Sequence, residues 1–224
     1  MNLSNFNLSE LQKQLSATAE LEKQFQEFIS PADLQKIDSL RRQATPKESA
    51  VIVLIYPKNT ELHLALIQRK IYKGAHSGQI SLPGGKRELA DQNLQKTVIR
   101  ECKEEIGVTV HSSEVIASTS PIYIPPSNFD VYPFYAFKKT EPTFEKDERE
   151  VQEIIELPLS QLKVENLEDK KINLDGRSPY KLTAKGYQYK DHFIWGATAR
   201  ILATLHLSIA TKQELQAIEN NIGN

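Results

Sequence analysis

A chain of 224 residues, 39% hydrophobic and 25% charged, has the makeup of one large soluble domain or of a domain with an extension. Its net charge of −1 excludes a whole-molecule field favouring nucleic acid or an anionic membrane, and its single cysteine excludes an internal disulfide and a cysteine-based zinc site. No apolar run nears the ~18 residues of a membrane span, and no basic segment followed by an apolar core is seen at the N-terminus, so no signal peptide and a cytoplasmic location are expected.

Residues 1–46 are polar and read as a helical arm, with Ser30 as a cap, Pro31 in the first turn, and Leu34, Ile37 and Leu40 at helical spacing. They carry no catalytic motif and are expected to pack on a main domain of residues 47–224; monomer and homodimer both stay open. Ala50 to Tyr56 is a β-branched run and predicts a buried strand. After the turn Pro57–Thr60, Leu62 to Gln68 predicts a second strand, with Leu62, Leu64 and Leu66 on one side and His63 and Ala65 on the other. His63 is expected on a sheet face without catalytic duty. A polar loop from Arg69 to Gly78 leads to a glycine turn at Gly84-Gly85. A helix-compatible run follows and ends at Gly107. Cys102 shares the apolar side of that run with Leu94, Val98 and Ile106, which makes it a core residue rather than a nucleophile.

Val115 to Ile124 reads as a strand, Pro125 to Asn128 as a loop, and Phe129 to Lys138 as another strand. Glu148 to Glu156 predicts a short strand entering a helix near Ser160. Lys171 to Leu174 and Tyr187 to Phe193 read as strands with a tight turn at Asp175-Gly176. Trp195 opens an apolar helix that runs to about Ile209, and Thr211 starts a last short one. Strands alternating with two long helices predict an α/β/α sandwich around a mixed β-sheet, with the N-terminal helical extension added to it.

The chemistry concentrates at Arg100, Glu101, Glu104 and Glu105. At ~3.6 residues per turn the three glutamates share one helix face, where like charges repel, and they lie at the helix C-terminus, which also disfavours anions. A divalent cation removes both objections, and Mg²⁺ prefers carboxylate and water oxygens while leaving room for phosphate.

The stretch Arg100-Glu101-Cys102-Lys103-Glu104-Glu105-Ile106-Gly107-Val108 resembles the second half of the Nudix box, the signature of a family of diphosphate hydrolases. Fourteen residues separate Gly85 from Arg100, where the general pattern has thirteen, and the early acid of the pattern falls on Asp91. The resemblance implies the same α/β/α fold, a Mg²⁺- or Mn²⁺-dependent site with Glu101, Glu104, Glu105 and Gly85 as metal ligands, and Arg100 orienting the acids. It also implies a further acid from outside the box, for which Glu148, Glu150 and Glu153 are candidates. A narrower resemblance, to the coenzyme A pyrophosphatase branch, rests on Gln68-Arg69, on Gly78 and on Pro83-Gly84-Gly85. It departs at Gly74, where the branch has arginine, and at Leu82, where it has phenylalanine. It implies a small coenzyme A-like nucleotide as substrate. The candidate contacts are Arg69, Lys73 and His76 in the loop, with Ser77 beside them, and Tyr123 or Phe129 as a wall for adenine or pantetheine. Another nucleoside diphosphate derivative as substrate, or a non-catalytic ligand sensor on the same fold, remain the alternatives.

Overall fold

Alternation along one strand divides the core in two. In β1 (Lys47–Lys58), Ala50, Ile52, Leu54 and Tyr56 point to one face of the sheet, and Val53 and Ile55 to the other. All six are fully buried, the pattern of a strand covered on both faces. The computed structural model describes residues 7–17, 24, 28–29, 45–72, 76–125, 127–172, 182–210, 214–216 and 218. The Ser30–Leu40 helix, the Asp175-Gly176 turn, the Thr211 cap, Lys73 and Gly74 lie outside the described residues.

β1 and β2 (Glu61–Arg69) form an antiparallel hairpin that pairs only near its turn, Ile55–Lys58 with Glu61–Leu64. Beyond that they diverge, and the next segment fills the wedge: β3 (Ile80–Ser81) pairs with β2, and β4 (Gly84–Lys86) pairs with β1. The glycine pair expected as a turn is therefore a short strand inside the sheet. α2 (Leu94–Ile106) follows, capped at its start by the Asn93 side chain, which accepts from the Lys96 amide. β5 (Val115–Ser118) and β6 (Ile122–Ile124) are separate short strands, not one. Both pair with β7 (Phe129–Phe137), which runs parallel to β1. β8 (Val151–Pro158) pairs with the free edge of β2, and a 3₁₀ turn at Leu159–Gln161 follows it in place of the expected helix.

β9 (Leu167–Ile172), β10 (Leu182–Tyr189) and β11 (His192–Trp195) form a second, antiparallel sheet. Lys190, in the left-handed region at φ 51°, turns β10 into β11, so the single strand expected over Tyr187–Phe193 is split. α3 (Gly196–Ile209) and α1 (Leu8–Ala17), with this small sheet, cover the face of the main sheet opposite α2. α2 buries Val98, Cys102 and Ile106 against Ala50, Ile52 and Leu54. The sandwich is as expected, and α1 buries Leu11 and Leu15 in its core. Among the described residues no helix is long and apolar enough to cross a membrane.

Candidate active site

The last two turns of α2 lie over β4, and each glycine of β4 has its own reason. A Cβ on Gly84 would meet the Ala50 carbonyl oxygen at 2.3 Å and the Val51 Cα at 2.6 Å, so this residue lies flat against β1 at φ 151°. A Cβ on Gly85 would meet Glu101 Oε1 at 2.4 Å, so the absent side chain is the space the Glu101 carboxylate fills. The Gly84 amide donates to Glu105 Oε2 at 2.8 Å. β4 thus holds two carboxylates of one helix, one by a missing side chain and one by a main-chain hydrogen bond.

Glu105 is almost wholly buried, and Arg69 Nη1, at the end of β2, donates to its Oε1 at 3.3 Å. Burial pushes the Glu105 carboxyl up to about 7; Gly84 and Arg69 oppose the shift, and the charges of Glu101 and Glu150 add to it. Burial also raises Glu101, against the pull of Arg100, and Glu150 acts on it too. Of the three candidates for one further acid from outside the box, Glu150 is the one whose charge acts on both Glu101 and Glu105. Glu148 pairs instead with Lys146 at 3.2 Å, and Glu153 lies 3.7 Å from His192.

Arg100 is the hub of the flanking network. Its Nε and Nη2 donate to the two oxygens of Asp91 at 3.1 and 2.9 Å, and its Nη1 donates to Glu101 and Glu104, each at 2.9 Å. Nη2 also reaches the Lys86 carbonyl at 3.3 Å. Asp91 is buried, accepts from the Thr97 hydroxyl and the Glu88 amide, and is held at about 2 chiefly by Arg100. The early acid of the pattern therefore works through Arg100, which fixes Glu101 by a bidentate anchor behind it. Glu104 is mostly exposed at the edge.

The turn carrying Glu150 is tied to the helix end. Gly107, at φ 75°, ends α2, and its amide bonds to the Lys103 carbonyl. The next orphan carbonyls, of Ile106 and Glu105, accept from the amides of Glu145 and Asp147. A Cβ on Gly107 would meet Glu145 Cβ at 2.7 Å, so only glycine lets this segment close on the helix. These anchors, and Thr97, were not legible beforehand. A hydroxyl one turn before Arg100 was the only available signal.

The remaining candidates disperse. His76 has φ 67° and a ring nitrogen 3.0 Å from the Gln79 side chain, which fixes the loop locally, while Ser77 accepts from the Tyr72 amide. Register turns the two aromatic candidates to opposite faces. Tyr123 pairs with Asp130 on the α2 side, and its hydroxyl donates to Asn128 at 3.0 Å. Phe129 packs with the α1 and α3 core, so of the two only Tyr123 shares the sheet face of α2. Cys102 is wholly buried and its thiol is pushed up to about 12, which fits a core residue.

The NUDIX domain family model matches residues 46–177. That match covers more than half of the chain and places it in the Nudix family, and the carboxylate-bearing helix on a mixed sheet between helices agrees with it. Relatives include NudL of Pectobacterium atrosepticum, an uncharacterized Nudix hydrolase, 28% identical over 193 residues, 83% of this chain and 95% of its own. NudL of Salmonella dublin, likewise described, is 29% identical over 192 residues, 83% of this chain and 94% of its own. The crystal structure of a MutT/nudix family protein from Enterococcus faecalis shares the fold, with a TM-score of 0.51 and 19% identity over 84% of this chain and 73% of that one.

Proposed function

We propose that this Nudix hydrolase cleaves the diphosphate bond of coenzyme A, or of its derivatives, to 4′-phosphopantetheine and adenosine 3′,5′-bisphosphate, with Mg²⁺ or Mn²⁺ and in the cytoplasm. The observation that supports diphosphate chemistry is the convergence of Glu101, Glu105 and the field of Glu150 beside the bare Gly85 backbone. Nudix hydrolases generally use divalent metal ions. The donors here are hard oxygens without sulfur or imidazole, the chemistry Mg²⁺ and Mn²⁺ take. Among the described residues no three acids, histidines or cysteines form a ready-made metal-ligating group; Glu105 is engaged by Arg69 and Gly84, and Glu101 by Arg100.

In this reading Glu101, Glu105, Glu150 and the Gly85 carbonyl hold the ion, with Glu104 at the edge. When bound, it supplies charge neutralisation on the diphosphate and a more acidic water. The chain's own contributions are placement and proton uptake. Arg100 keeps Glu101 in line, the Gly84 amide keeps Glu105 turned inward, and the carboxylates of the cluster are the bases at hand. Coenzyme A is favoured by the sequence signs that lead into β4, from Gln68-Arg69 to Gly85, and by Tyr123 on the α2 face of the sheet. The alternative is another nucleoside diphosphate derivative: an ADP-sugar, a dinucleotide or an oxidised nucleotide. It is favoured by Leu82, which is buried where the coenzyme A branch has phenylalanine.

A substrate panel with product identification tests this. Coenzyme A should yield the two named products with Mg²⁺ and nothing with EDTA. Cleavage of an ADP-sugar or dinucleotide but not coenzyme A moves the protein to the alternative. No EDTA-sensitive turnover of any member of the panel makes the chain a ligand-binding module.

A further inference from the structure

Two arginines face the carboxylates of α2, and they are held very differently. Arg100 meets Asp91, Glu101, Glu104 and a main-chain carbonyl, with its best distances near 2.9 Å. Arg69 has, among the described residues, one polar side-chain partner, Glu105, at 3.3 Å, long for a charge-assisted bond. Its main chain is pinned. The Arg69 amide donates to the Gln79 carbonyl at 3.0 Å, and the next amide, of Lys70, donates to the Glu150 carbonyl at 2.9 Å. Opposite it the β2–β8 register slips, so that Val151 rather than Gln152 pairs with Arg69. Such a bulge re-aims side chains at a strand end. The guanidinium therefore extends from a fixed point between the strand that leads to Gly84 and the turn that carries Glu150.

Its position has an electrostatic reason. Glu105 is nearly water-free and has Glu101 and Glu150 as like-charged neighbours. Without a cation in the cluster, Arg69 is the positive charge that Glu105 meets among the described residues. With one bound, guanidinium and cation contend for the same carboxylate, and repel one another in a poorly screened place. The nearest anion for the released guanidinium is then a diphosphate lying on the cluster, and its planar fork suits phosphate oxygens.

Resting on the metal-dependent reading above, we propose that Arg69 links cation to substrate: it holds Glu105 in the cation-free protein and transfers to the substrate diphosphate once the carboxylates hold a divalent ion. Cation and diphosphate then bind in order, and Arg69 opposes the first while favouring the second. The sequence already places Arg69 among the candidate substrate contacts, for the 3′-phosphate or the diphosphate of a coenzyme A-like nucleotide; its coupling to the cation is the new element of the proposal.

The test measures Mn²⁺ binding to the full chain by electron paramagnetic resonance, and α,β-methylene-ADP binding by calorimetry at saturating Mn²⁺. Arg69→Gln should bind Mn²⁺ about tenfold more tightly and the analogue about tenfold more weakly than the wild type. Arg69→Lys, which keeps the charge without the fork, should leave Mn²⁺ binding near wild type and still weaken the analogue; it also serves if the glutamine variant does not fold. Opposite signs are the signature, because a merely structural role would weaken both ligands together. Unchanged or weaker Mn²⁺ binding in Arg69→Gln, or unchanged analogue binding in both variants, overturns the proposal. Glu105→Gln is the control on the underlying reading: if it binds Mn²⁺ as the wild type does, the carboxylate cluster is not the metal site, whatever Arg69 does.

Discussion

At the scale of the residue, Gly84 and Gly85 are neighbours of one type with different duties, and alanine separates them. In Gly85→Ala the atoms nearest the new methyl are those at the end of the Glu101 side chain, which can move. The melting temperature should stay close to wild type while turnover falls at least about tenfold, because Glu101 loses its place. In Gly84→Ala the methyl meets main-chain atoms of Ala50 and Val51, and φ 151° suits no L side chain. That variant should lose roughly 1–3 kcal/mol or more in a urea titration. If the two variants behaved alike in both assays, the division of labour would be wrong. Glu105→Gln keeps an acceptor for the Gly84 amide and removes the charge. It should fold, and its kcat with Mg²⁺ should drop by roughly 10²-fold or more. Near wild-type turnover would make the helix structural.

At the scale of the element, α2 is held by its two ends more than by its sequence propensity. Asn93 caps the start, Gly107 ends it, and the segment Glu145–Asp147 closes the exposed carbonyls. The loop before it is locked by Asp91, which is held at about 2 against an ordinary 3.8, mainly by the Arg100 hydrogen bonds. A carboxyl whose folded value is depressed contributes stability above its unfolded value, and that contribution is lost as pH falls through the folded one. Here the window is about pH 4 down to 2, and the size is on the order of 2 kcal/mol. Asp91→Asn should therefore be less stable than wild type by about that amount at pH 7 in a denaturant titration. The gap should narrow as pH drops from 4 towards 2. A gap that stays constant over that range would mean that Asp91 acts by shape rather than by charge.

At the scale of the whole molecule, the sheet separates chemistry from support. The carboxylates lie on the α2 face; α1, α3 and the small sheet cover the other. Leu11 and Leu15 of α1 are buried there, and Gln12 Nε2 donates to the Ile116 carbonyl at 2.9 Å. Leu15→Ala should cost about 2–4 kcal/mol with kcat retained. Deleting residues 1–28 should lower the melting temperature and leave the chemistry intact. Loss of turnover in a truncated chain still folded by circular dichroism would show that the arm builds the site.

What the sequence by itself determined was local and short-range. Helical spacing put Glu101 and Glu105 on one face and Cys102 on the other, β-branched runs marked the central strands, and Arg100 was paired with nearby acids. Those features follow from backbone periodicity, which a sequence carries in full. The divided aromatic pair, the glycine pair as a strand in a splayed hairpin, and the Arg69–Glu105 contact were decided only by tertiary structure. Each depends on register between strands far apart in the chain, where a one-residue slip turns a side chain to the other face and no local pattern reports it.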